Sequence, residues 1–495
     1  MSVSNQQNDS SVSAVQDVND QVKSGTVWTI LGFGFGQVLR LFANVVLAAI
    51  LFEEVFALMA IVGAVLIGLA MFSDIGIQTS VIQNPRGDDP DFLNTAWTLQ
   101  VIRGACLFVG ALALAWPISQ LYGANDPKAY ELAYLIPIAA LTCIVDAFRP
   151  AKAMTAARHL RIKELVKIEL IVSLFSVIIM LTLAWYMRSV LAIVISSVMA
   201  SCLTTLLSYW MLKGPRSRFR WEKESVLAVF RFGKWIMLST LIGFFALQMD
   251  RLIFAAVFPL AEVGVYAIAA GLSMLIMTIV GRLQLSIIFP WYSRLLSGGI
   301  SLPIAFGKAK FPVLLMSTYL VVLLIVGSSS FFSLFYDERY SQAAILLPIL
   351  AIAVWLNSIE SMYGSAFLAK GYSKWGALTG AVKVVSFLIF LKLLLLVESS
   401  LVIAAIALVI SEVIRVCVVY YLGSRLGLLN LRIDITMLAI LVITSAFGLW
   451  LVHGFEPVVN LHPVLQLLLL GIIITLFFTP LFLKILLPIL KKESV

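Results

Sequence analysis

Eight basic residues stand inside stretches that are otherwise long and apolar: Arg40, Arg103, Arg149, Arg251, Arg282, Lys383, Lys392 and Arg415. Five acids accompany them, at Asp74, Asp146, Asp250, Glu360 and Glu412. In a bilayer each unpaired charge costs about 2.5–3.5 kcal/mol on insertion scales, so such residues face a partner or a wet cavity. The balance is cationic, and a guanidinium offers planar paired donors that suit anionic oxygens. The chemistry this pattern points to is the binding of an anion. Covalent catalysis finds no support, because the chain shows no nucleophile–base constellation and no phosphate-binding loop.

Spacing sorts these charges. Asp146 and Arg149 are three residues apart, as are Glu412 and Arg415, so each pair is expected to neutralise itself along one helix. Lys392 lies near a segment end and is expected to snorkel; the role of Lys383 stays open. Arg40, Arg103, Arg251 and Arg282 lack an acid three or four residues away. Arg251 follows Asp250 directly, but helical neighbours project about 100° apart and do not face each other. These four arginines are the candidate substrate-binding set of a cationic cleft. The competing reading is pairing between helices, for example of Arg40 with Asp74. Asp74 and Asp250 are candidates for coupling or gating through a bound cation or proton, against the plainer reading of a packing hydrogen bond.

The elements that must position these residues are membrane helices. Apolar residues make up 61% of the 495 residues and charged residues 12%, against a usual 45–50% and roughly 25% in soluble domains. Apolar runs of helix length predict an all-α integral membrane protein with about fourteen spans. They cover Ser24–Leu51, Val55–Val81, Phe92–Leu121, Glu131–Met154, Leu165–Met187 and Val190–Leu212. Then follow Phe232–Phe258, Val263–Pro290, Phe311–Tyr336, Ala343–Ala369, Ala377–Val397, Leu401–Leu422, Ile435–Val452 and Pro463–Leu490. The first span carries Gly32, Gly34 and Gly36 ahead of Arg40; glycines weaken a helix locally, so this helix is expected to bend or gate. Residues 1–23 are polar and lack a basic start, which reads as a disordered tail and not a signal peptide. Cys106, Cys143, Cys202 and Cys417 show no metal or redox spacing and read as small core residues. The three histidines are scattered, so neither a metal nor a cofactor is expected.

Basic residues set the orientation. With the N-terminus inside, roughly 24 Lys and Arg fall in inner loops, Lys308 and Lys310 among them, against 3 in outer loops. Both termini are then cytoplasmic. The basic excess reads as an inner surface facing membrane lipids rather than as nucleic-acid binding. Outer loops are short, the longest near Tyr122–Tyr130 and His453–His462, which leaves no room for an external catalytic domain.

The chain reads twice. LAAILFEEVFALMAIVGAVL from Leu47 lies over FAAVFPLAEVGVYAIAAGLS from Phe254, and LIPIAAL from Leu135 over LLPILAI from Leu346, with Pro137 matching Pro348. Six spans precede the basic linker 213–231, so the halves share one orientation, and parallel transporter repeats bind substrate between them. The expected organisation is an N-lobe over 24–212, a C-lobe over 232–422, and two added spans with a cytoplasmic end over 423–495. Within the linker region, Trp221–Trp235 reads as a short helix on the inner membrane surface.

DRLIFAAVFPLAEVGVYAIA from Asp250, FEEVFALMAIVGAVLIGLAMFSDIGIQTSVIQ from Phe52 and LFYDERYSQAAILLPILAI from Leu334 resemble polysaccharide transporters of the Wzx-like oligosaccharide flippase family. That family shares a superfamily with MATE exporters and the MurJ lipid II flippase. The resemblance covers nearly the whole chain. It implies two six-helix lobes in a MATE-like arrangement, alternating access, and export of an undecaprenyl-diphosphate-linked sugar unit across a bacterial plasma membrane. It implies no cofactor and a monomer whose partners are the lipid-linked oligosaccharide, membrane lipids and other polysaccharide-assembly proteins. Two alternatives stay open: a cation-coupled multidrug exporter, and a membrane polymerase or ligase acting on lipid-linked sugars.

Overall fold

The structure is a computed structural model that describes residues 32–490 apart from 160, 285–287, 289–291 and 293–300. The tail 1–23, the first part of the Ser24–Leu51 span with Trp28, Trp291, Arg294, Lys491 and Lys492 lie outside the described residues. Fourteen helices among the described residues are long and apolar enough to cross a membrane. A helix is the natural answer for such segments, because lipid offers no hydrogen bonds and the backbone must satisfy itself.

The first unit, Met1–Phe244, contains α1 (Gly32–Ile50), α2 (Glu53–Phe72), α3 (Ile77–Gln83) and α4 (Pro90–Gly123). It continues with α5 (Leu132–Ala147), α6 (Lys152–Arg158), α7 (Ile162–Met187), α8 (Val190–Met211) and the start of α9 (Lys223–Val257). The second unit, Phe245–Val495, holds the end of α9, α10 (Leu260–Leu283), α11 (Leu302–Phe335), α12 (Ser341–Ala369) and α13 (Ser373–Leu395). It ends with α14 (Leu401–Ser424), α15 (Leu431–Gly454), α16 (Glu456–Val459) and α17 (Pro463–Leu490).

Three expectations need correction. The span Val55–Val81 is two helices, because α2 stops at Phe72 and Gly76, at φ 62°, turns the chain before α3. The span Glu131–Met154 is likewise divided: α5 ends at Ala147, Pro150 brings no N–H to continue it, and α6 starts at Lys152. Trp221–Trp235 is not a separate surface helix, since α9 runs unbroken from Lys223 into the next span. Ahead of it, the chain from Lys213 to Glu222 is a non-helical strap on the first turns of α4. The N–H groups of Arg218, Arg220 and Glu222 donate in turn to Asn94 Oδ1 (2.9 Å), Thr98 Oγ1 (3.0 Å) and Thr95 Oγ1 (3.2 Å). Phe219 packs on Trp97, ring centroids 4.9 Å apart.

Cysteines depart from the sequence reading too. Cys106 and Cys417 are exposed on helix surfaces and Cys143 and Cys202 half-buried; all four are free. A thiol facing lipid is as comfortable as one in a core, so burial does not follow from composition here.

The internal repeat is visible within each unit separately. Both α4 and α11 have 34 residues, about 50 Å at 1.5 Å per residue, so each extends past a hydrocarbon core of about 30 Å. Each is followed by a 3₁₀ turn capped by an aspartate: Asp126 accepts from the Lys128 N–H, Asp337 from that of Arg339. Eleven residues past the capping aspartate, each following helix carries its proline, Pro137 or Pro348. The second unit's core runs from α11 and α12 into α15 and α17, through Val322, Trp355, Met437 and Phe478. The last two spans are thus part of that core.

Candidate functional site

At the two helix breaks of the first unit the terminal carbonyls lose the regular intrahelical ladder, and side chains from neighbouring helices donate to them. At the end of α2, Arg103 on α4 donates through Nη2 to Ala70 O (2.7 Å) and through Nε to Ser73 Oγ (3.0 Å). Asp74 turns back on its own loop and accepts from the Gly76 N–H (2.9 Å). At the end of α5, Thr205 Oγ1 donates to Val145 O (3.1 Å), Gln100 Nε2 to Ala147 O (2.9 Å) and Tyr209 OH to Phe148 O (3.0 Å). Trp97 Nε1 donates to Arg149 O (3.0 Å).

Between these breaks lies a cavity of about 1060 Å³ walled by α2, α3, α4, α5 and α8. Its polar lining includes Asp74, Gln78, Gln100, Arg103, Asp146 and Arg149. A second cavity of about 460 Å³ in the same unit shares Gln78, Gln100, Arg149 and Thr204 with it and adds Glu169. The self-neutralising pair Asp146–Arg149 does not form. Because α5 ends between them, Asp146 accepts from Ser201 Oγ (2.6 Å) while Arg149 Nε donates to Ser208 Oγ (3.3 Å). Only the proline at position 150 hinted at this in the sequence, by placing a helix end beside a charge.

In the second unit a cavity of about 80 Å³ is lined by Asp250, Arg251, Tyr266, Lys383 and Glu412. Tyr266 OH donates to Asp250. Arg251 donates to Gln248 Oε1 (3.4 Å) and toward Met274 Sδ (2.9 Å), and its Nε is buried without a partner. The pair Glu412–Arg415 forms at 3.3 Å, inside a larger cluster in which Lys383 meets Glu412 at 2.6 Å and Arg415 meets Glu360 at 2.7 Å. Two cations and two acids close on one another, which settles the open role of Lys383.

Sequence reasoning missed the ion pair with the least exposed side chains among the described residues. Lys310, counted among loop charges, is fully buried in α11 and holds Asp434 of α15 at 2.6 Å. Its ammonium also donates to Tyr363 OH (3.1 Å) and stands over the Tyr363 ring. The expected span began at Phe311, whereas α11 begins at Leu302.

Of the four arginines singled out, Arg103 and Arg251 line cavities of different units, while Arg40, exposed on α1, and Arg282, exposed near the end of α10, line none of these cavities. Gly32 is a close-packing position, because a Cβ there would lie 2.5 Å from Val166 of α7; Gly34 and Gly36 meet open space.

Outside the spans, the strap is tied by charge. Arg86 pairs with Asp89 at 2.6 Å and with Glu222 at 3.0 Å. Hydrogen bonds from Ser225 and then Arg86 hold the Glu222 carboxyl below its usual range. Those from Arg86 and the Asp91 N–H do the same for Asp89.

Comparison with known proteins agrees with this architecture. The chain is 24% identical over 361 residues to the lipopolysaccharide biosynthesis protein WzxC of Escherichia coli (strain K12), covering 71% of each chain. It is 22% identical over 300 residues to the teichuronic acid biosynthesis protein TuaB of Bacillus subtilis (strain 168), covering 60% of this chain and 61% of that one. Its fold is similar to that of the lipid II flippase MurJ in an inward closed conformation, with a TM-score of 0.69 at 13% identity over 93% of this chain and 99% of that one. It is also similar to an inward-facing multidrug resistance MATE family transporter of the MOP superfamily, with a TM-score of 0.63 at 14% identity over 79% and 94%. Residues 46–299, just over half of the chain, match the polysaccharide biosynthesis protein family, and the chain belongs to that family.

Proposed function

We propose that this protein is a flippase, moving a lipid-diphosphate-linked oligosaccharide unit from the inner to the outer leaflet of a bacterial plasma membrane by alternating access. The observation that carries the reading is the cavity of about 1060 Å³ walled by membrane helices, whose lining includes amides, hydroxyls and charges of both signs. Ligand pockets span roughly 300–1,000 Å³, so the space suits a substrate of several sugars. The fold likeness to MurJ and MATE transporters and the polysaccharide-assembly names of WzxC and TuaB support it. Movement, not covalent chemistry, is the task.

In this reading Arg40, Arg251, Arg282 and Arg103 contribute to binding the anionic head group, Arg103 with the one terminal nitrogen it does not spend on α2. Asp74 and Asp250 serve coupling or gating, and the glycines of α1 allow its movement. The lobes are six spans each, joined by the basic strap, with both termini cytoplasmic. A MATE-type multidrug exporter is the second reading, favoured by the carboxylate of Asp250 beside a cavity in the second unit.

Deleting the gene and analysing lipid-linked intermediates tests the first reading. Oligosaccharide units accumulating on the inner leaflet are the expected result. Unpolymerised units outside would point to a polymerase, and unchanged polymer with altered drug tolerance to the multidrug exporter.

A further inference from the structure

Arg149 is held differently from the other charges of the first unit. Its backbone is fixed: the carbonyl accepts from Trp97 Nε1 at 3.0 Å, and Pro150 ends the turn that follows α5. Its side chain makes one long contact, Nε to Ser208 Oγ at 3.3 Å, and neither terminal nitrogen has a hydrogen-bond partner among the described residues. Arg149 lines both cavities of the unit, as do Gln78 and Gln100. Arg103, by contrast, spends Nε and Nη2 on the end of α2.

Charge balance narrows the ligand. In the larger cavity Arg103 and Arg149 stand against Asp74 and Asp146, and in the smaller one Arg149 stands against Glu169. A diphosphate would bring two or more negative charges to one free fork beside these acids. A single carboxylate matches that fork in shape and charge, through two parallel N–H···O bonds. The amide and hydroxyl lining suits the hydroxyls of the ring that carries it.

We infer that Arg149 forms a subsite for a carboxylate on the transported saccharide, so that the first unit selects units containing an acidic sugar. The inference rests on the export reading and names the substrate class of the same cavity.

Purified protein in phosphatidylcholine nanodiscs is titrated with methyl glucuronide, methyl glucoside and inorganic pyrophosphate, and binding is read by calorimetry and thermal shift. The glucuronide binds, the glucoside binds at least about tenfold more weakly, and R149Q removes that preference, as expected when a charge-assisted bidentate contact is lost. R149K, which keeps the charge but not the fork, is intermediate. Equal binding of glucuronide and glucoside, a preference untouched by R149Q, or Arg149-dependent binding of pyrophosphate alone overturns the inference. In cells, loss of polymer in the deletion strain tests the export reading itself. With that loss established, full recovery by R149Q at normal abundance overturns the Arg149 assignment alone. Reduced export of an acidic polymer, partly rescued by R149K, supports it.

Discussion

Arg103 reaches from α4 to the last turn of α2 and donates to the carbonyl oxygen of Ala70 at 2.7 Å. One side chain thereby closes a helix end inside the membrane region and puts a positive charge at the negative end of the α2 dipole. Arg103→Ala is expected to lower stability by about 1 kcal/mol, the net worth of a hydrogen bond, because Ser73 Oγ still donates to the Ala70 oxygen at 3.2 Å. Thermal unfolding in detergent measures it. An unchanged melting temperature with export lost would assign Arg103 to substrate alone.

The Lys310–Asp434 pair ties α15 to α11 through a fully buried ammonium. Asp434→Ala strands that charge, and about 3–5 kcal/mol of destabilisation is expected. The double variant K310M/D434L, apolar at both positions, is expected to recover most of the loss. A double-mutant cycle on unfolding free energies checks the coupling.

Within the four-charge cluster the two acids are not equivalent. Glu412 serves both Lys383 and Arg415, whereas Glu360 serves Arg415 and accepts a hydrogen bond from Thr379. Glu412→Gln should therefore cost more stability than Glu360→Gln, with each loss above about 1 kcal/mol for a buried charge contact. Melting temperatures of the two variants rank them; the reverse order would refute the assignment.

Acid should loosen the strap. Glu222 and Asp89 have carboxyls held below their ordinary values of 4.5 and 3.8 by partners present only in the folded protein. A depressed folded value contributes stability that is full above the unfolded value and lost as pH falls through the folded one. Protection of residues 216–222 against hydrogen exchange is expected to hold at pH 6 and to fall below about pH 4. Arg86→Ala, which removes a shared partner, should weaken that dependence.

Helix contact in the first unit depends on Gly104, where a Cβ would stand 2.3 Å from that of Ala147 and 2.6 Å from Cys143 O. Gly104→Val forces α4 away from the end of α5, at a cost of about 1–3 kcal/mol for overpacking. Lower abundance in the membrane and a lower melting temperature are the expected readouts.

Much of the fold is legible along the chain because each span must satisfy its own backbone and advertise itself by about 20 apolar residues. The repeat was legible too, in LIPIAAL over LLPILAI with Pro137 matching Pro348, and the structure adds the same distance from a capping aspartate in each half. Helix ends inside the membrane were not. Phe72 is followed by Ser-Asp-Ile-Gly and Ala147 by Phe-Arg-Pro-Ala-Lys, polar interruptions too short to bring a window of about 20 residues below the apolar threshold, so hydropathy averages over both breaks.

By itself the sequence determined an all-helical membrane chain of fourteen spans with an excess of intramembrane cations, because hydropathy and charge are additive along the chain. Only the tertiary structure decided what each cation does. Arg415 and Lys383 are neutralised, Lys310 is a buried tie, Arg103 completes a helix end, and Arg149 keeps its fork free. The physical reason is range: a guanidinium's partners lie within about 3 Å in space, and several of them, Ala70 for Arg103, Ser208 for Arg149 and Glu360 for Arg415, are remote in sequence. Residue spacing therefore predicted Asp146 for Arg149, where the fold supplies Ser208 and open cavity.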